Sequence, residues 1–270
     1  MREALWLRLR KSTLLRRLYA MQVFAAPMKS LSYLLVPPQK MQRLRVRSGP
    51  GRGLLFELNP RWEIPTWDGS YELEVQRALE ERLKPGSVLY DVGANIGFYS
   101  LLAARQGAQV FAFEPDVQNA ESLEHHARLN SLSAKIEVIR AAVFSTSGFV
   151  ALEPADTARG HGNAHVGTHT EPSNSTVQVP CTTLDDFAQE HIGPDTIKID
   201  VEGTESNVLE GAEKLFTQYR PHLICEVHDA ANASFVDTWL KNRGYELSWL
   251  DSNKCFPRQL LAAPRSMEKP

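Results

Sequence analysis

Between residues 87 and 250, short apolar runs alternate with stretches of helical spacing. Ser87-Val88-Leu89-Tyr90-Asp91-Val92 is a short run of buried-strand type, and the spacing then predicts a helix from about Ile96 to Gln106. Gln109–Phe113 predicts a second strand, and Asp116 is placed to cap a helix that runs to Asn130. A third strand is predicted at Ile136–Ile139, and a shorter pair near 149–152 and 176–179. Thr196–Asp200 reads as a strand before a helix around Ser206–Leu215. Pro221–Val227 reads as another, before a helix around Ala233–Arg243 that Gly244 ends. Tyr245–Leu250 opens a hairpin through Asp251-Ser252-Asn253. Strands alternating with helices predict an α/β fold with a mostly parallel sheet covered on both faces. Such sheets bind ligands at the carboxyl ends of their strands, near the switch in strand order.

The 270 residues allow one large domain or two small ones, and 43% hydrophobic with 23% charged residues excludes a disordered chain. No apolar run approaches the roughly 20 residues that span a bilayer. Three widely spaced cysteines, Cys181, Cys225 and Cys255, form neither a disulfide framework nor a zinc motif, and predict reduced thiols in a cytoplasmic setting. No internal repeat is visible. The net charge of −2 hides an asymmetry: residues 1–52 hold twelve Lys/Arg and one acid, Glu3, so the other 218 residues carry −13. Three segments are expected: a basic, partly helical arm over 1–60, a domain over 61–257, and a polar tail over 258–270 that frays. Leu5, Trp6, Leu9, Leu14, Leu15 and Leu18 sit among the arginines, so the arm suits packing on the acidic body, an anionic membrane surface or RNA. Arg8 and Arg10 interrupt a secretory signal, whereas an organelle transit peptide stays open.

Chemistry concentrates at the strand ends. Asp91-Val92-Gly93-Ala94-Asn95-Ile96-Gly97-Phe98-Tyr99-Ser100 puts glycines where a strand ends and a helix begins, so ligand can approach closely and meet free N–H groups. The pattern departs from the dinucleotide spacing Gly-x-Gly-x-x-Gly, and a tight turn alone would also account for it. Glu114, 21 residues after Gly93, stands where an acid takes both ribose hydroxyls of an adenosine. It equally suits a helix start with Pro115 in the first turn. Asp200 and Glu202, followed by Gly203, cluster at the ligand-bearing edge, where one carboxylate could accept a substrate proton. They also suit a helix N-terminus. Glu226 and His228 share one side of the next strand end, by alternation, and His228 could serve as a base or as a structural residue.

Together these residues resemble the FkbM-type methyltransferases. Asp91–Gly97 is similar to the family's first motif, followed in order by Phe113-Glu114-Pro115, Ala141-Ala142-Val143 and Thr183-Leu184-Asp185-Asp186. Lys198–Gly203 and Val208-Leu209-Glu210-Gly211-Ala212 complete it, with Tyr71-Glu72 upstream. The resemblance covers about residues 67–250. It implies a class I, Rossmann-like sheet closed by an antiparallel C-terminal hairpin. It also implies an S-adenosylmethionine-dependent methyltransferase, usually acting on oxygen. By that resemblance Asp91, Gly93, Ala94, Asn95 and Gly97 cradle the methionine part of the cofactor. Glu114 binds the ribose, with Pro115 and Asp116 beside the adenine and Ala142 and Val143 lining its slot. Asp200 lies near the reacting methyl, and Glu72 reaches the amino or sulfonium end. Phe98 stands where the family often has tyrosine, which removes a hydroxyl contact.

Asp200, Glu202, Glu226 and His228 are the candidate catalytic groups. No metal ligand set is predicted, although a divalent ion held by Asp200 and Glu226 stays open. The polar stretch from Pro154 to Asn174 has the character of a substrate lid that could supply His161 or Asn163. Its histidines, including His165 and His169, lie among glycines that argue against an aligned metal site. The expected acceptor is a small-molecule or sugar hydroxyl, with protein and RNA acceptors open. The expected location is cytoplasmic, with peripheral membrane contact through the arm, and nothing addresses the oligomeric state. Two other functions fit the same sheet: a nicotinamide-dependent oxidoreductase and a non-catalytic cofactor-binding adaptor.

Overall fold

The computed structural model describes residues 41–153, 165–166, 176–252 and 255–265. The first forty residues of the arm lie outside them, as do His161, Asn163 and His169.

The described part begins with an antiparallel hairpin, β1 (Gln42–Arg45) and β2 (Leu55–Leu58), turned through Gly49-Pro50-Gly51. Sequence reading assigned this stretch to the basic arm. It is instead part of the body, because alternation sends Phe56 and Leu58 into the core while Arg43 and Arg45 face outward. Helices α1 (Ile64–Asp68) and α2 (Leu73–Arg82) follow, neither of them anticipated. Then come β3 (Val88–Val92), α3 (Phe98–Arg105), β4 (Gln109–Phe113), α4 (Val117–Leu129) and β5 (Ile136–Ile139). The hairpin docks on the end of α4, where Asn130 exchanges two hydrogen bonds with the Leu55 backbone and His126 Nε2 accepts from the Glu57 amide.

Residues predicted as a short strand pair form a separate four-stranded sheet. It comprises β6 (Ala142–Val143), β7 (Gly148–Glu153), β8 (His165–Val166) and β9 (Val177–Thr182), in the order β6-β9-β7-β8. Next are α5 (Leu184–Glu190) and β10 (Thr196–Ile199). The single helix expected around 206–215 is two, α6 (Glu205–Glu210) and α7 (Glu213–Tyr219). Only glycine fits at the break, since a Cβ on Gly211 would lie 2.3 Å from the Phe144 carbonyl oxygen. Asp185 then caps α7, accepting from the Lys214 and Leu215 amides at 3.1 and 2.8 Å. The chain closes with β11 (His222–Val227), α8 (Ala230–Lys241), β12 (Tyr245–Trp249) and β13 (Arg258–Pro264).

The main sheet runs β12-β13-β11-β10-β3-β4-β5. Its five strands from β11 to β5 pair in parallel, and β13 is antiparallel to both β11 and β12. The expected α/β class, with a mostly parallel sheet and an antiparallel C-terminal hairpin, is what forms. The polar tail expected over 258–270 is corrected, because Arg258–Pro264 is a strand inside the sheet. Leu260 and Ala262 are almost fully buried there, which outweighs the polar look of Arg258-Gln259. Side chains alternate between the two faces: Leu89 and Val110 enter the core under α2, α3 and α4, while Val88, Tyr90 and Val92 enter the core beneath α5 to α8. Chain direction across the sheet switches between β3 and β10, so their carboxyl ends open a crevice. No helix among the described residues is long and apolar enough to cross a membrane.

Candidate active site

A cleft of about 560 Å³ opens at that crevice. One side is built by the β3–α3 turn. Gly93 is required there on two counts: its φ is +77°, and a Cβ would come 1.8 Å from the Asp200 carbonyl oxygen. The turn is pinned from below, because the Gly93 and Ala94 amides both donate to the Phe113 carbonyl at 3.0 Å. It is pinned from the side by Glu114, whose Oε2 accepts from the Asn95 amide at 2.7 Å and whose Oε1 accepts from the Asp116 amide at 2.9 Å. Glu114 is only 4% exposed yet lines the cleft. Burial pushes its pKa up to about 7 against those two amides. The Asn119 side chain also hydrogen-bonds this carboxylate, which leaves it one acceptor site of about four for a ligand hydroxyl. Pro115, Ala142 and Val143 continue this wall as an apolar slot, and Phe98 closes it from behind.

The opposite side comes from the ends of β10 and β11 and from the segment before α2. Lys198 is fully buried, with Nζ 3.0 Å from Asp200 Oδ2 and 5.2 Å from the centre of the Tyr99 ring. Burial opposes its charge, but the carboxylates of Asp200, Glu72, Glu226 and Asp91 outweigh that and hold its pKa above the ordinary lysine value. Burial likewise opposes ionisation of Asp200, and here Lys198 prevails, with a hydrogen bond from Glu226 assisting, so its pKa lies below the usual range. Glu226 moves the other way: burial and then the neighbouring Asp200 push it up to about 9. At neutral pH the pair is therefore an ionised Asp200 beside a protonated Glu226.

His228 sits between two acids, Nδ1 at 2.7 Å from Glu205 Oε1 and Nε2 at 3.2 Å from Glu202 Oε2. Burial opposes its charge, but the hydrogen bonds of Glu202 and Glu205 prevail and raise its pKa to about 10. Glu72 takes a left-handed conformation (φ 38°) and receives hydrogen bonds from the Tyr99 hydroxyl and from Gln259. Burial raises its pKa, with Lys198 opposing.

Most of the sequence-derived residues meet in this cleft: Glu72, Gly93, Ala94, Asn95, Phe98, Glu114, Pro115, Ala142, Val143, Asp200, Glu202, Glu226 and His228 all line it. Three do not. Asp91 lies behind the wall, accepting from Ser100 Oγ at 2.5 Å, and Gly97 closes against Leu123. Asp116 is spent as the α4 cap, its Oδ1 accepting from the Gln118 and Asn119 amides at 2.9 Å. Both His228 nitrogens face carboxylates and its pKa is raised, an arrangement that suits a charged positioning group better than a general base. Protonated Glu226 is a donor at neutral pH rather than a base.

Sequence reading missed Lys198, Tyr99, Glu205 and Trp62. A lysine inside the run Thr196–Ile199 was the signal for the first, since an inward-facing lysine in a buried strand requires carboxylates around it. Asp200, Glu226 and His228 bring one ligand atom each within 4.8 Å of one another, enough to consider a metal. In this geometry Asp200 already faces Lys198, and both His228 nitrogens face carboxylates, so the donor set fits an ion poorly.

The raised pKa values have a stability consequence. Folded, His228 and Glu226 hold protons that the unfolded chain releases from about pH 6.5 and 4.5 upward. Their contributions are complete below those values and are lost as pH rises through about 10 and about 9. Urea denaturation is expected to show stability falling between pH 7 and pH 10, with His228→Gln flattening the upper part of that fall. An equally steep fall in the variant would dissociate His228 from it.

The family model of the methyltransferase FkbM domain matches residues 91–247. The hexuronic acid methyltransferase AglP of Haloferax volcanii is 29% identical over 169 residues, 62% of this chain and 66% of that protein. A tRNA (guanine(37)-N(1))-methyltransferase of Leishmania major is 38% identical over 68 residues, 25% of this chain and 10% of that protein. Both matches span less than two thirds of the relative's own length. A methyltransferase FkbM structure from Methylobacillus flagellatus KT superposes with a TM-score of 0.48 at 18% identity, covering 69% of this chain and 50% of that one. The match of the family model across more than half of the residues, over the elements that build the cleft, shows that this chain belongs to the FkbM methyltransferase family.

Proposed function

We propose that this methyltransferase moves the methyl group of S-adenosylmethionine to a hydroxyl oxygen of a sugar or another small molecule. The observation that carries the oxygen chemistry is Asp200, a carboxylate held ionised by buried Lys198 where the two sides of the cleft meet. The sugar acceptor named for the archaeal relative supports the substrate class.

When bound, the cofactor supplies a methyl already activated on a sulfonium, so the protein has little covalent work to do. The residues fit it: Glu114 offers its remaining acceptor site to a ribose hydroxyl, Ala142 and Val143 form an apolar slot, and Gly93, Ala94 and Asn95 present a pinned backbone. Glu72 faces the same space from across the cleft. Holding acceptor oxygen and methyl in line is the larger contribution, worth roughly 7–11 kcal/mol, against about 10²–10⁴-fold from a general base. Asp200 takes the hydroxyl proton as the new C–O bond forms and the methyl leaves sulfur, and Glu226, whose one proton is donated to Asp200, holds that carboxylate in place. Charged His228 keeps Glu202 fixed at the rim.

Calorimetric titration with S-adenosylhomocysteine, with NAD in parallel, tests this. Saturable binding of the first alone is expected. Glu114→Ala is expected to weaken it by at least about tenfold, since a charge-assisted hydrogen bond to the ribose is lost. Binding of NAD instead would replace the methyltransferase reading with an oxidoreductase. Binding without methyl transfer to any acceptor would favour an adaptor.

A further inference from the structure

The hairpin of β1 and β2 carries a cluster of arginines on its outer side. Leu44 and Val46 turn into the core, so Arg43, Arg45 and Arg47 face outward together, and all three are exposed. Backbone hydrogen bonds between Val46 and Gly53-Leu54 carry that alternation past the strand as far as Arg47. Arg52 stands exposed on the turn, which Arg105 braces by donating to the Gly51 and Arg52 carbonyls at 3.4 and 2.7 Å. Gln76 Oε1 accepts from the Gly51 amide at 3.1 Å and Asn130 ties down Leu55, so the cluster sits on a fixed platform. Among the described residues no carboxylate pairs with Arg43, Arg45, Arg47 or Arg52. Glu57, the cross-strand neighbour of Arg43, is engaged by His125 Nε2 at 2.9 Å.

The same sign of charge continues along the chain. Residues 1–40, which lead directly into β1, hold eight Lys/Arg and one acid, Glu3. Guanidinium groups without carboxylate partners keep donors for phosphate oxygens. Two polyanions present phosphates in bulk, an anionic bilayer and a nucleic acid, and the apolar residues decide between them. Leu5, Trp6, Leu9, Leu14, Leu15 and Leu18 are interleaved with the basic residues of the leading segment. Met41, 38% exposed, stands where that segment meets the basic face. A bilayer interface takes up such side chains while its headgroups meet the cations. A nucleic acid calls instead for exposed rings on which bases stack, and the one aromatic of the hairpin, Phe56, is fully buried.

We propose that the outer face of the β1–β2 hairpin, together with the basic segment that leads into it, is a docking surface for an anionic lipid bilayer. The attraction is electrostatic and modest for each residue, so it depends on several arginines acting together and fades with salt. It stands independently of which acceptor is methylated.

Vesicle flotation tests this. The full-length protein is mixed with phosphatidylcholine vesicles, or with vesicles in which one third of the lipid is phosphatidylglycerol. Partitioning is expected to be at least about tenfold stronger on the anionic vesicles and to weaken steadily as NaCl is added. Arg43→Gln, Arg45→Gln, Arg47→Gln and Arg52→Gln combined are expected to lower it by at least about tenfold, whereas lysine at the same four positions keeps it, because the headgroups meet charge rather than shape. Urea denaturation of both variants checks that the fold persists, and the salt titration of the unaltered protein needs no variant at all. Absent binding, equal binding to both vesicle types, indifference to salt, or full binding by the folded glutamine variant would each overturn the proposal. So would release of the bound protein by RNA at a phosphate concentration matching the anionic lipid, which would assign the face to nucleic acid instead.

Discussion

Replacing Asp200 with asparagine is expected to lower kcat by about 10²–10⁴-fold while S-adenosylhomocysteine affinity stays within roughly threefold. The substitution keeps the shape of the side chain and removes its proton affinity. Lys198 keeps an oxygen to donate to and the carboxylates of Glu72, Glu226 and Asp91 around its charge, so the variant loses part of the pair's stability and keeps the fold. The loss should therefore appear in kcat rather than KM, and it should not be rescued by raising pH. Steady-state kinetics on a sugar acceptor found by screening, together with calorimetry on the same variant, would separate these effects. Normal kinetics would remove Asp200 from the chemistry and leave Glu202 as the carboxylate beside the acceptor.

The second large effect is on stability. Lys198→Met is expected to cost roughly 3–5 kcal/mol, the usual consequence of removing one partner from a buried ion pair. The methionine fills the volume, so a cavity is not the cause. Asp200 loses its counter-charge, with Glu72, Glu226 and Asp91 nearby in the same buried cluster. The deficit has a signature: it should shrink as pH falls and those carboxylates take up protons, because a protonated cluster no longer needs the ammonium. Urea denaturation at pH 5 and pH 8 checks both points. A loss under about 1 kcal/mol at pH 8 would mean that the cluster is protonated without Lys198.

The parts of this protein legible in its sequence are those decided within a few residues. The turn Asp91–Ser100 is one: an apolar strand run, glycines tolerating positive φ, and a helix start are local properties, and the structure builds them at those positions. Order was legible too. Alternating strands and helices dictated a parallel sheet, and a parallel sheet dictated that Glu114, Asp200 and Glu226 would gather at one edge. Family membership followed from the same spaced motifs.

What was not legible depends on partners distant in sequence. The hairpin of β1 and β2 read as a basic arm because its arginines are visible in sequence, whereas the α4 surface that buries Phe56 and Leu58 is not. Strand β13 looked like a fraying tail because Arg258 and Gln259 open it, yet it fills the gap between β11 and β12. Motif residues also changed meaning: Thr183 and Asp185 cap helices α5 and α7, and Asp116 caps α4, before any ligand is considered.

Protonation states are the sharpest case. Asp200, Glu202, Glu226 and His228 were all candidate bases in sequence, and three of them show how burial divides such a set: Asp200, Glu226 and His228. Burying them with Lys198 and Glu205, from other positions in the chain, separates them into an ionised acid, a protonated acid and an imidazolium. Local sequence determined which functional groups this protein owns and at which edge of the sheet they stand. Only the tertiary structure decided which of them hold protons, because a buried charge is set by its neighbours and those neighbours come from the whole chain.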